Sequence, residues 1–145
     1  NSFVAQMNND AKSLGLGFVF TDPAGLDIGS SVGGLGNVLD VAKLFAIARN
    51  SIPELLDATT KKRATMRSLN EKIVGIPNTN QSIEELFGAE GSKTGFTDIA
   101  GGNLGVIVDI TVGHPVVLVV LGSSREGRFK DIATLYTALQ KSLEK

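Results

Sequence analysis

Two β-branched runs leave few folds open to this chain: Leu104-Gly105-Val106-Ile107-Val108-Asp109-Ile110, and the stretch that begins at Val116 and ends at Leu121. Branched side chains pack well on a pleated surface, and Gly113-His114-Pro115 between the runs supplies turn residues, so the two read as a β-hairpin. His114, at its tip, reads as a turn residue rather than a ligand or base. A further strand carrying Lys93 joins through an Ala100-Gly101-Gly102 turn, giving a three-stranded antiparallel meander. Residues 125–145 place Phe129, Ile132, Ala133, Tyr136, Leu139 and Leu143 on one face and charge on the other. That pattern predicts an amphipathic helix covering the sheet, and the class is α+β.

Residues 1–90 read as helices and loops. Phe3, Val4, Met7, Ala11 and Leu14 fall at helical spacing over residues 2–14, with Ser2 able to cap the start and Gly15 to close the end. Phe18-Val19-Phe20 is a short extended run meeting the turn residues Pro23 and Gly25. Gly29, Gly33, Gly34 and Gly36 lack the G-x-G-x-x-G spacing of a phosphate cradle and read as a flexible loop. Asn37 with Asp40 three positions on starts a helix to about residue 50, whose stripe is Val38, Val41, Ala42, Phe45 and Ala48. Ser51-Ile52-Pro53-Glu54 predicts a second helix over 53–58 with Ser51 as its cap. A half-exposed strand over 64–69 follows the basic run Lys61-Lys62-Arg63, which reads as a solvated face. Asn78-Thr79-Asn80 then leads into a small helix over 81–87, ended by Gly88.

With 145 residues the chain is long enough for one domain with a real core. The absence of cysteine excludes disulfides and thiolate metal sites, and one histidine leaves little for imidazole chemistry, so neither a metal nor another cofactor is expected. Fourteen basic against fifteen acidic side chains, without a large basic cluster, give no footprint for nucleic acid. No apolar run reaches the ~20 residues of a membrane-spanning helix.

The chemistry gathers in Gly91-Ser92-Lys93-Thr94-Gly95-Phe96-Thr97-Asp98, at the start of the predicted strand. Lys93 offers an ammonium, Thr94 a hydroxyl, and Gly95 lets another backbone come close, a set suited to a carboxylate. A Walker loop does not fit, because Ser92 separates Gly91 from Lys93 and a strand, not a helix, follows. The tripeptide alone occurs by chance in roughly one chain of this length in fifty, so its neighbours must decide.

Those neighbours resemble the serine-type D-alanyl-D-alanine carboxypeptidase family of penicillin-binding proteins, which carries Lys-Thr-Gly on an active-site strand. Lys93-Thr94-Gly95-Phe96-Thr97-Asp98-Ile99-Ala100-Gly101 is close to the family's Lys-Thr-Gly-Tyr-Thr-Asp-x-Ala-Gly. Phe3 to Leu16 is similar to its helix ending in Leu-Gly, Asp22-Pro23-Ala24-Gly25-Leu26 to its Asn/Asp-Pro-x-Gly-Leu turn, and Asn78-Thr79-Asn80, Val117 to Gly122 and Arg128-Phe129 extend the likeness over nearly the whole chain. The resemblance implies a partial β-lactamase/transpeptidase-like fold in which residues 1–145 form the C-terminal portion of a catalytic domain. Residues 1–90 would be its helical part and 91–145 its Lys-Thr-Gly strand, hairpin and final helix. The family's nucleophile, in Ser-x-x-Lys, and its Ser-x-Asn element are both expected before residue 1. Ser2, Ser13 and Ser51 are followed three positions on by Ala5, Leu16 and Glu54, and no Ser-x-x-Lys occurs in a supporting context.

The implied activity is hydrolysis of the terminal D-alanine from a peptidoglycan stem peptide through a serine acyl-enzyme, with β-lactams as further ligands and an extracytoplasmic location. The resemblance implies Lys93 and Thr94 at the substrate's terminal carboxylate and near the nucleophile, Gly95 permitting close approach, the Phe96 backbone N–H in the oxyanion hole, and Arg128 helping to hold the carboxylate. A plain helix-surface arginine is the competing reading of Arg128. This chain alone is expected to be inactive. In the family two further strands lie beyond the last one, so the run from Val116 to Leu121 is expected to be an edge that pairs with the missing half or with a second copy. A non-catalytic cell-wall-peptide or protein-interaction module is the alternative from another class. A β-lactamase is disfavoured by the Thr97-Asp98-Ile99-Ala100-Gly101 continuation.

Overall fold

A computed structural model describes residues 2–144. Helix α1 is Ser2–Ser13, and the short strand β1, Val19–Phe20, pairs antiparallel with β2, Gly34–Leu35. Asn8 joins the helix to β1 as a strand neighbour would: its Nδ2 donates to the Phe20 carbonyl at 2.8 Å and its Oδ1 accepts the Phe20 amide at 2.8 Å. The glycine-rich segment is folded, contrary to the flexible loop expected. Thr21 and Asp22 amides both donate to the Gly33 carbonyl, and Asp22 Oδ1 accepts the amides of Ala24 and Leu26. Backbone groups of a loop can satisfy one another only when side chains leave room, as glycines do here.

Helix α2, Val38–Ser51, starts as the Asn37/Asp40 spacing predicts, with Asn37 Oδ1 accepting the Asp40 amide at 3.0 Å. Ser51 is the last residue of α2 and caps nothing; the next helix, α3, is only Glu54–Asp57 and continues as a 3-10 turn over Ala58–Thr60. Strands β3, Arg63–Arg67, and β4, Ile73–Pro77, form a hairpin where a lone strand over 64–69 was expected. The helix expected over 81–87 reduces to a 3-10 turn at Ile83–Glu85. Leu86, not Gly88 as expected, caps its end; Gly88 turns the chain into the following strand with φ +76°, and a Cβ there would lie 2.5 Å from the Asp109 carbonyl oxygen.

The meander forms as predicted, in the order β5–β6–β7, all antiparallel: β5 is Ala89–Thr97, β6 Gly101–Val108 and β7 Val116–Ser123. Strand β5 begins earlier than expected, so Lys93 sits mid-strand, and the connection to β6 is Asp98-Ile99-Ala100, with Gly101 already in β6. Asp109 closes the hairpin tip, its carboxylate accepting the Gly113 and His114 amides at 2.8 and 3.1 Å.

Helix α4, Gly127–Leu143, lies on the sheet. Its Ile132 and Tyr136 meet Leu104, Val106, Val108 and Leu118 in one buried cluster that also takes Leu86. Each such side chain withdrawn from water is worth about 1.5–3 kcal/mol. Leu143, placed on this stripe by sequence, stays half exposed, and Lys145 lies outside the described residues. The opposite sheet face, at Gly105, packs on α2: a Cβ on Gly105 would come within 2.6 Å of the Phe45 ring. Arg49 of α2 makes a bidentate pair with Glu90 of β5, which raises the guanidinium pKa. No helix among the described residues is long and apolar enough to cross a membrane.

Candidate functional site

Strand β5 is an edge of its sheet, and its chemistry faces that edge. The Ser92 amide points outward to the Thr59 hydroxyl at 2.9 Å, and Ser92 Oγ donates to the Thr59 carbonyl at 3.2 Å, so the 3-10 turn covers the start of the edge. Antiparallel ladders alternate with a period of two, which turns the amides of Thr94 and Phe96 to the same side, beyond the covered part. Lys93 lies across from Gly105, and its side chain curls so that Nζ donates to the Thr94 carbonyl, bringing the ammonium to the open edge. The Thr94 hydroxyl is held 2.6 Å from that of Thr79.

Thr79 has no signal of its own in the sequence beyond its place in Asn78-Thr79-Asn80. The segment is pinned on both sides of Thr79. Asn78 Nδ2 donates to the Thr59 and Lys61 carbonyls at 2.8 and 2.9 Å, and buried Asn80 accepts from both the amide and hydroxyl of Ser82. Two side-chain amides thus fix a hydroxyl that orients Thr94.

Arg128, in the first turn of α4, is buried rather than a surface residue. Its Nη1 donates to the Gly95 carbonyl at 2.6 Å, while Nε is buried without a hydrogen-bond partner. All the expected site residues, Lys93, Thr94, Gly95, Phe96 and Arg128, are therefore together, on β5 and immediately behind it. Lys93 also borders an apolar groove of about 600 Å³ whose walls include Leu44, Phe45, Ala48, Ile52 and Leu55.

A sequence model of the D-alanyl-D-alanine carboxypeptidase family matches residues 1–125. The chain belongs to that family. Among solved structures it is similar to penicillin-binding protein D2 of Listeria monocytogenes in its ampicillin-bound form, with 30% identity and a TM-score of 0.78 over 91% of this chain and 53% of that one. It is also similar to a D-alanyl-D-alanine carboxypeptidase of Mycobacterium tuberculosis, at 26% identity and TM-score 0.74, over 94% of this chain and 53% of that one. A D-alanyl-D-alanine carboxypeptidase of Francisella tularensis shares the fold, with 22% identity and TM-score 0.79 over 94% of this chain and 44% of that one. No curated protein matches the chain in sequence. The β-lactamase-like fold class expected from sequence holds, and the chain spans about half the length of the solved relatives it matches.

Family spacings do occur in this chain, away from β5. Ser142 has Lys145 three positions on, a bare Ser-x-x-Lys at the end of the chain's last helical stretch. Ser142 lies in the last turn of α4 with its hydroxyl donating to the Leu139 carbonyl at 2.7 Å, fourteen residues and about 21 Å of helix from Arg128. Ser68-Leu69-Asn70 matches Ser-x-Asn but forms the tip of the β3–β4 hairpin, where Ser68 Oγ accepts the Lys72 amide at 3.2 Å.

Proposed function

We propose that this chain is the carboxylate-recognition and oxyanion wall of a peptidoglycan D-alanyl-D-alanine carboxypeptidase, whose serine nucleophile comes from outside these 145 residues. The observation carrying this reading is the open edge of β5, where the Lys93 ammonium, the Thr94 hydroxyl and the outward Phe96 amide line up with Arg128 behind them. A substrate laid along this edge would set its terminal carboxylate against Lys93 and Thr94. Its scissile carbonyl oxygen would then reach the Phe96 amide, and negative charge developing there on serine attack would be stabilised by a donor already in position. The C–N bond breaks, D-alanine leaves with a proton, and water later hydrolyses the acyl-serine. Arg128 holds Gly95, and so the strand, from behind, and adds positive potential at the carboxylate.

The apolar groove beside Lys93 suits the segment that brings the serine, and β7, whose outer edge pairs with no strand among the described residues, suits strands of the same missing part or of a second copy. An extracytoplasmic location follows from the substrate, and β-lactams would acylate the same serine.

The test is D-alanine release from a diacylated L-lysyl-D-alanyl-D-alanine peptide by the domain completed with its nucleophile-bearing half. Lys93→Ala and Thr94→Val are each expected to lower kcat/KM by about 10- to 100-fold, the loss of one hydrogen bond to a charged group. Full activity in Lys93→Ala would exclude the assignment.

A further inference from the structure

We propose that Thr79 is a positioning residue for carboxylate recognition: its hydroxyl donates to the Thr94 hydroxyl and so turns the single Thr94 proton toward the substrate's terminal carboxylate. The proposal rests on the recognition-wall reading, which sets that carboxylate against Lys93 and Thr94. A hydroxyl carries one proton and two lone pairs. The two threonine oxygens lie 2.6 Å apart, so one proton sits between them, and the geometry lets either residue supply it. An ionised carboxylate only accepts, so Thr94 binds it only by giving up its own proton. The proton between the two threonines must then come from Thr79. Without that donor the Thr94 hydroxyl has nothing to set its rotation before the substrate arrives.

Both hydroxyls are referenced to one anchor, Thr59 in the 3-10 turn. On the side of Thr79, Asn78 Nδ2 donates to the Thr59 carbonyl at 2.8 Å, and Asn78 Oδ1 accepts the Asn80 amide at 2.8 Å, so the Asn78 side chain brackets Thr79. On the side of Thr94, Ser92 Oγ donates to that same carbonyl at 3.2 Å, and the Ser92 amide donates to Thr59 Oγ1 at 2.9 Å. Thr79 directly follows its anchored neighbour Asn78, and only Lys93 separates Thr94 from Ser92. Two hydroxyls far apart in sequence are thereby held at a fixed separation before any ligand arrives, which is what preorganised recognition of an anion requires. Lys93 adds its charge at the same point, because its ammonium donates to the Thr94 carbonyl.

Thr94 is buried and Thr79 exposed, so the outer hydroxyl sets the inner one. Thr79 spends its one proton on Thr94 and has none left for the carboxylate, so it acts through Thr94 rather than on the substrate. Its exposure also makes the role separable from folding: Thr79→Val keeps the side chain's shape, removes the hydroxyl and opens no cavity in the core. The consequence is selective. A terminal carboxylate, which takes a charge-assisted hydrogen bond from Thr94, depends on Thr79 more than a neutral terminal amide does.

The experiment uses the completed domain and two peptides, diacylated L-lysyl-D-alanyl-D-alanine and the same peptide ending in D-alaninamide. Thr79→Val is expected to lower kcat/KM for the carboxylate peptide about 3- to 10-fold, chiefly through KM, as loss of one hydrogen bond would. For the amide peptide the change is expected to stay within about 2-fold, and Thr79→Ser, which restores the hydroxyl, is expected to return both peptides to wild-type values. Thr79→Ala, a second variant without the hydroxyl, carries the same expectations as Thr79→Val. In a Thr94→Val background Thr79→Val is expected to cause no further loss, because the two act as a unit. Equal losses on both peptides, no loss on the carboxylate peptide, or a further loss in the Thr94→Val background overturns the role of Thr79. Each of these leaves the recognition wall intact so long as the wild type favours the carboxylate peptide. A wild type that turns over both peptides equally overturns the wall and this proposal with it.

Discussion

Arg128 shows what a single residue's burial decides. Sequence left it between a helix-surface cation and a site residue, because an arginine in a first helical turn is compatible with both. Its burial and its bond to the Gly95 carbonyl tie it to β5, beside the proposed site. Arg128→Ala is expected to raise KM for D-alanyl-D-alanine peptides about 10-fold or more and to loosen β5, seen as faster amide exchange at Gly95 and Phe96. Thr79 was illegible for a different reason: its partner Thr94 is fifteen residues away, and a hydroxyl pair across a turn leaves no periodic trace in sequence. Asp40 offers a test by pH. The Gly17 amide, donating at 3.0 Å, is the main cause holding its carboxyl below the ordinary 3.8, with Asn37 and Lys43 assisting. A carboxyl whose pKa is depressed by folding stabilises the fold fully above its unfolded pKa and ceases to do so as pH falls through the folded value. Urea midpoints followed from pH 6 to pH 2 should therefore fall below about pH 4, and fall less steeply in Asp40→Asn.

At the scale of elements, β6, β7 and α4 were legible because their signals are strong and local: β-branched runs in the strands and a 3.6-residue stripe in the helix. Strand β4 was not, since Ile73-Val74-Gly75-Ile76-Pro77 carries a glycine and a proline, both unusual in strands. It pairs because it is a hairpin edge with Pro77 at its end, and because the Arg63 side chain lies over Gly75, where a Cβ would be 2.2 Å from Nη2. The sandwiching of the sheet between α4 and α2 turns on Gly105, whose missing side chain admits Phe45. Gly105→Val is expected to cost about 1–3 kcal/mol by overpacking, measured by urea unfolding, and to shift Lys93, its cross-strand neighbour. In the other face, Ile132→Ala should cost about 2–5 kcal/mol, because Ile132 is fully buried in the main cluster.

Over the whole molecule, large apolar areas are uncovered. Phe3, Leu14, Leu39 and Leu55 are exposed, the groove beside Lys93 is apolar, and the outer edge of β7 is bare among the described residues. A long apolar edge without lysine or proline inside it invites pairing. Val119→Lys is accordingly expected to reduce any self-association of the 145-residue chain seen by sedimentation. The central claim is that the polar groups of β5 act on a serine this chain does not contain. The most direct measurement is acylation by a fluorescent penicillin, located by mass spectrometry, with the chain alone and then mixed with the nucleophile-bearing half. The expected result is no label on the chain alone and, in the mixture, label only on the added half, at a rate lowered by Lys93→Ala. Label on a serine within residues 2–144, Ser142 included, would contradict it.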